Sequence, residues 1–210
     1  MAYDQLKIYN NALVNYLGEG KLNTLAEERG PRYLLDQVWE EDPVLYCLEQ
    51  GSWQFATRTV RLEADPGIEP DFGMRYVFAK PDDYVRTAAM SASEYFNEAF
   101  TGFTDEAGFF VSDLNILYLK YVSDDEDYGR DYAKWTPAFY EYISCYHAWK
   151  IVNRITGAKS TRAELSAELE KMKSDAQAKD GVNRPVSYQS PGSWSRSRHG
   201  RYAGFRGERR

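Results

Sequence analysis

The chain has 210 residues, 43% hydrophobic and 15% aromatic, enough to bury one sizeable core or two small ones. Its two cysteines, Cys47 and Cys145, give neither a metal-ligand spacing nor a disulfide framework, and no apolar run approaches the roughly 20 residues of a membrane span. The net charge of −6 hides a division: residues 181–210 hold seven arginines, no lysine and one acid, so this segment carries +6 and residues 1–180 carry −12.

The opening Met-Ala-Tyr-Asp-Gln-Leu-Lys lacks the pattern of a signal peptide, which places synthesis in a cytoplasm with both thiols buried and reduced. Residues 4–17 are predicted to form a helix. Asp4 caps it, Leu6, Asn10, Leu13 and Leu17 lie near one face, and Gly18 stops it. Thr24 and Glu27 have the spacing of a capping box, which predicts a second helix start. Leu34, Leu35, Val38, Leu45 and Leu48 carry the helical period on to Gly51. Pro31 and Pro43 are expected to break or kink this helix, because each removes an amide donor.

Residues 57–122 change character. Thr57 to Leu62 alternates polar and larger residues, and Asp65-Pro66-Gly67 is a turn cluster. The segments 75–79, 84–89, 108–111 and 116–122 are short, β-branched or aromatic, and punctuated by Gly, Pro and Asp. They predict a small antiparallel sheet or sandwich set between helical parts. The run Asp124-Asp125-Glu126-Asp127 is predicted to be a solvated loop.

Helix returns at Thr136-Pro137, a good cap followed by proline at the first helical position. Trp135, Phe139, Tyr142, Tyr146 and Trp149 follow at spacings of four, three, four and three, one aromatic stripe on one helix face. Gly157 ends that helix. Thr161 and Glu164 form a further capping-box pattern, and Leu165, Leu169, Met172 and Ala176 repeat the helical spacing before Gly181. The expected fold is α+β: an antiparallel helical bundle with an inserted small antiparallel β domain and an extended C-terminal arm. Its parts are a helical hairpin at 1–56, the β domain at 57–130, a second helical hairpin at 131–180 and the basic arm at 181–210. The stripe is expected to pack within the bundle or between subunits.

Signals for catalysis are scarce. Only His147 and His199 are present, and Leu17-Gly18-Glu19-Gly20 lacks the downstream Gly and Lys that would cradle phosphate. No zinc-ligand cluster or nucleophile elbow occurs, so no cofactor, metal or catalytic residue is assigned. Glu27, Glu28, Glu40, Glu41, Asp82 and Asp83 leave paired-carboxylate hydrolysis as the one enzyme class open, although such acids usually form solvated faces or complement helix dipoles.

The arm reads as an interaction segment. It has almost no aliphatic residue, so it cannot bury a core of its own, yet it carries large rings. Arg184, Tyr188, Trp194, Arg196, Arg198, Arg201 and Arg206 are its candidate contacts. Arginine with interleaved rings suits phosphates and bases, but a body of −12 repels DNA. Guanidinium groups also fit carboxylates bidentately, so an acidic protein surface is at least as good a partner.

Six elements in order resemble the tail tubular protein A family, the head-to-tail adaptors of short-tailed phages. Ala12-Leu13-Val14-Asn15-Tyr16-Leu17-Gly18-Glu19 and Leu22-Asn23-Thr24-Leu25-Ala26-Glu27-Glu28 match its opening. Trp53-Gln54-Phe55-Ala56 follows, and then Tyr76-Val77-Phe78-Ala79-Lys80-Pro81-Asp82-Asp83, slightly differently spaced. Leu117-Tyr118-Leu119-Lys120-Tyr121 and Trp135-Thr136-Pro137-Ala138-Phe139 complete the series, which covers roughly residues 5–180. The chain departs from the family in its aromatic rather than Ala/Leu-rich third helix, and the arm matches no family motif.

The resemblance implies a structural virion protein, not an enzyme, assembled in the host cytoplasm and located at the head–tail interface. It implies a dodecameric ring of this chain between the portal protein and the tail nozzle protein. Double-stranded DNA passes through the channel without sequence-specific binding, and no membrane is involved. The arm is then the portal-binding element. Peptidoglycan hydrolysis by a tail protein and nucleic-acid binding through the arm are the alternative readings.

Overall fold

The computed structural model describes residues 3–68, 70, 73–157 and 159–182. Asp4 opens α1 (Gln5–Asn11) by accepting from the Lys7 amide at 2.8 Å. The helix does not continue regularly to residue 17. It widens into a π-helical turn at Ala12–Tyr16 and closes with Gly18 at φ +66°, where the Glu19 amide reaches back to the Leu13 carbonyl at 2.8 Å.

The helical period is broken at both prolines, as expected, and each proline stands in the first turn of a separate helix. These are α2 (Gly30–Glu40) and α3 (Pro43–Glu49). Proline in the first turn gives up a donor that has no intrahelical partner anyway and has its φ preset for helix. The predicted cap at Thr24 opens no helix. There the Glu27 amide donates to the Thr24 carbonyl (3.3 Å) and the Glu27 carboxylate accepts from the Asn23 amide (2.8 Å), which closes a turn.

Six strands follow: β1 (Thr57–Glu63), β2 (Tyr76–Ala79), β3 (Tyr84–Ser91), β4 (Phe103–Glu106), β5 (Phe109–Ser112) and β6 (Ile116–Ser123). They form two antiparallel three-stranded sheets, ordered β1-β6-β3 and β2-β5-β4. Sequence patterning missed β4, whose residues are mostly exposed and polar. It is a strand because Gly108, at φ +92°, turns the chain so that Phe103 pairs with Ser112 and Glu106 with Phe109. Phe78, Phe110, Met90, Leu117, Leu119 and Tyr121 make the apolar core of this region. The Lys80 ammonium lies 4.8 Å from the Tyr84 ring centre and 5.0 Å from that of Phe110, and pairs with Asp105 at 2.5 Å.

Thr136 caps α4 (Pro137–Thr156) through the Phe139 amide at 3.2 Å, and Gly157 ends it at φ +66°. The last helix, α5 (Lys159–Val182), begins before Thr161, so the predicted capping box lies inside it, and it runs through Gly181. Helix α4 touches α1, the π turn, α2, α3 and α5. The main core lies around it, with Trp53, Tyr9, Leu35, Leu48 and Leu165 among its buried residues. The protein is thus a mixed α+β chain with two small antiparallel sheets.

Strand β6 joins the two cores. Leu117, Leu119 and Tyr121 belong to the sheet core, whereas Val122 belongs to the helical one. The acidic run after it is only partly solvated. Asp124 contacts Arg130 at 3.3 Å and the Asp125 carboxylate accepts from the Asp127 amide at 2.8 Å, leaving Glu126 and Asp127 exposed. Gly129 allows the tight return. A β-carbon there would stand 2.2 Å from the Ser123 carbonyl oxygen and 2.7 Å from Leu48. Gly129→Ala should therefore destabilise the fold by about 1–3 kcal/mol. Thermal unfolding should show a fall of roughly 2–4 °C per kcal/mol; an unchanged transition would mean the loop adjusts freely.

Candidate interaction surface

Four polar clusters hold several of the chain's perturbed groups, and each is spent on internal contacts. Asp83 accepts from the Tyr121 hydroxyl (2.9 Å), the Arg58 guanidinium (2.9 Å) and the Ser123 hydroxyl. Burial raises its pKa, but these hydrogen bonds, led by that from Ser123, outweigh burial and hold the carboxyl below the usual range. Asp42 sits at φ 53° as the cap of α3, accepts from the Leu45 amide (3.1 Å) and takes Arg130 at 2.6 and 3.3 Å. Its carboxyl is likewise held low, burial being outweighed by Arg130 and that amide. The first cluster ties β1 and the turn before β3 to the end of β6, and the second ties the loop after β6 to the cap of α3.

The π turn supplies the third cluster. Glu141 accepts from Asn11 and from the Tyr16 hydroxyl, both at 3.0 Å, while Asn15 donates to Asn11. Burial and the Glu141 carboxylate push the Tyr16 hydroxyl far up, so it stays a donor. In the fourth, Tyr9 donates to Asp36 (3.1 Å) and accepts from Gln5 (2.8 Å), and Asp36 pairs with Arg32 at 3.0 Å.

His147 is fully buried. Its Nδ1 faces the Ile143 carbonyl at 2.8 Å and so donates to it, and its Nε2 has no hydrogen-bond partner among the described residues. The Tyr9 and Trp39 rings lie 6.0 and 5.7 Å away. Burial pushes the imidazole down to about 4 against the opposing hydrogen bond. Burial also raises both thiols, Cys145 to about 12, so neither is a ready nucleophile. Among the described residues no group of three or more His, Cys, Asp or Glu could hold a metal ion.

The predicted stripe lies mostly inside the chain's own core. Trp135, Phe139, Tyr142 and Tyr146 are buried, and the Trp135 indole donates to the Gly129 carbonyl at 2.8 Å. Trp149 differs. It is partly exposed, sits 6.0 Å from Tyr146, and carries the Arg162 guanidinium 4.8 Å above its ring. Together with Asn153, Lys159 and Ser166 these two line an open groove of about 400 Å³ between α4 and α5. The Asn153 Oδ1 is buried there without a hydrogen-bond partner.

Sequence reading missed this corner because it placed the start of α5 at Thr161. The visible signal was two cations, Lys159 and Arg162, close behind the helix-ending Gly157. The proposed arm contacts Arg184, Tyr188, Trp194, Arg196, Arg198, Arg201 and Arg206 lie outside the described residues, which end at an exposed Val182.

His147 sets a pH dependence. Its folded value of about 4 lies below the unfolded 6.5, so the unfolded chain binds the proton first. Stability is therefore full above pH 6.5 and falls as pH drops toward 4. Urea unfolding of the wild type should lose roughly 2–3 kcal/mol from this group between pH 7 and 4.5. His147→Gln should flatten that part of the profile, and an equal slope in both proteins would remove His147 as the cause.

No protein-family model matches the chain, and no curated protein matches it.

Proposed function

We propose that this chain is the head-to-tail adaptor of a short-tailed phage, a structural ring subunit between portal and tail nozzle. In this reading α1–α5 form an antiparallel bundle, the two sheets are its inserted domain, and residues 181–210 are the portal-binding arm. The observation that carries it is the charge partition. A body of −12 is followed, from the end of α5, by a segment of +6 in which every cation is arginine. An acidic wall repels the phosphates of passing DNA, so a duplex slides past it. A cationic, ring-bearing segment suits a carboxylate-bearing protein platform. The six ordered elements shared with the tail tubular protein A family point the same way.

The arm's contacts must exceed a backbone ordering cost of roughly 1–2 kcal/mol per residue. The free chain should therefore be a monomer or a weak oligomer that assembles fully only on its platform. A stable ring formed without portal would contradict this in sedimentation.

Removing residues 183–210 tests the arm directly. The buried residues of both cores end at Ala176, so the truncated chain should keep its circular dichroism spectrum and thermal transition. It should fail to decorate portals in negative-stain images at ordinary salt. Decoration by the truncated chain would sink the arm assignment. DNA binding that falls steeply with salt and vanishes on truncation would favour the nucleic-acid reading instead.

A further inference from the structure

We infer that copies of this chain meet head to tail, with the acidic loop at Asp125–Asp127 of one copy seated on the cationic groove at Lys159 and Arg162 of the next. This deepens the ring reading above and rests on it.

The cations come first. Most lysines and arginines around the helices are paired with acids: Lys7, Arg29, Arg32, Arg130, Lys134, Lys150 and Lys173 all have carboxylate partners. Lys159 and Arg162 have none among the described residues, although the body carries a large excess of acid. Arg154, near the end of α4, contacts the neutral Gln37 side chain on α2 (3.0 Å). All three are exposed. Lys159 and Arg162 also stand in the opening of α5, which holds no acid in its first turn. The helix dipole disfavours cations there, so their placement does not serve the stability of this helix. The groove they flank has Trp149 as one wall and Asn153 among its lining residues.

The acids lie at the other end of α4. Arg130 pairs with Asp124 as well as with Asp42, and Lys134 pairs with Asp131. Asp125, Glu126 and Asp127 remain without an ion pair among the described residues, the last two exposed. The Trp135 indole, through the Gly129 carbonyl, anchors this loop to the start of α4. The groove lies at the end of the same helix. Along α4, the groove residues Trp149 and Asn153 stand about 18–24 Å of helix beyond Pro137. One chain cannot bring its own loop to its own groove. Two copies can, and a contact between different patches of identical chains repeats from copy to copy, closing into a ring when the rotation between neighbours allows it.

Exposed ion pairs are individually weak and screened by salt, so this contact adds direction and register rather than tight binding. That agrees with weak association of the free chain and full assembly on a platform.

The test uses full-length chains with the arm intact, at high protein concentration and low salt, in sedimentation velocity. Wild type should show weak self-association that salt reverses. Lys159→Glu combined with Arg162→Glu should weaken it at least about tenfold. Glu126→Lys combined with Asp127→Lys should do the same. Mixing the two variants should restore association, because each reversed patch then finds a complementary one. All four positions are exposed, so the folds should persist by circular dichroism. Reversal that leaves association unchanged, a mixture that does not recover it, or a wild type with no salt-sensitive association overturns the inference. Portal binding through residues 183–210 is read separately, and its success or failure judges the adaptor proposal alone.

Discussion

The enclosure of α4 is the constraint on which the rest depends. Ten of its twenty residues are buried, and it meets every other helix. A helix surrounded in this way cannot keep a narrow apolar stripe with a polar back. It needs apolar or internally bonded groups almost all round. That explains several features at once. Ser144 turns its hydroxyl onto the Tyr140 carbonyl at 2.8 Å, and His147, kept neutral by burial, donates to the Ile143 carbonyl. Glu141 is acceptable only because the π turn brings Asn11 and Tyr16 to it. The extra residue in that turn shifts the polar side chains onto the α4 face, as π-bulges tend to do where local geometry serves a contact.

The sheets are attached to this helical mass at the end of β6, where the Ser123 amide donates to the Ala56 carbonyl, and through the loop that runs on to Arg130. Asp83 collects three side-chain donors, Ser123 ends β6 beneath it, and Gly129 passes close enough to touch the Ser123 carbonyl. Arg130 then reaches Asp42 at the joint between α2 and α3. These charged groups are only partly buried, so each pair by itself adds little. Their joint effect is positional: strand end, loop and helix cap are held in one arrangement. The acidic run is part of that joint, which is why two of its carboxylates remain available to solvent in a fixed place.

Charge is distributed on two scales. Within the body most cations are matched by nearby acids, and the excess is negative. Lys159 and Arg162 at the groove between α4 and α5 are among the cations with no ion pair in the described residues, and the last thirty residues of the sequence hold seven arginines against one acid. Such asymmetry does not stabilise an isolated subunit. It directs association, because complementary fields choose orientation and partner more than they add affinity.

Features with a local cause could be read from the sequence. The cap at Thr136, the stop at Gly157, the stripe between them and five of the six strands depend on the spacing of neighbours and on residues with one conformational use. The acidic body and basic arm were equally plain, since composition alone defines them. What needed the tertiary structure were choices between locally equivalent options. Thr24 and Thr161 had the pattern of helix caps, yet Pro31 begins α2 and Lys159 begins α5. The packing of these helices on their neighbours, rather than their capping residues, sets where they start. The polar strand β4 exists only because β5 offers it a ladder. Which cations lack a partner could not be read from the chain either, because an ion pair joins residues distant in sequence and only folding decides which of them meet.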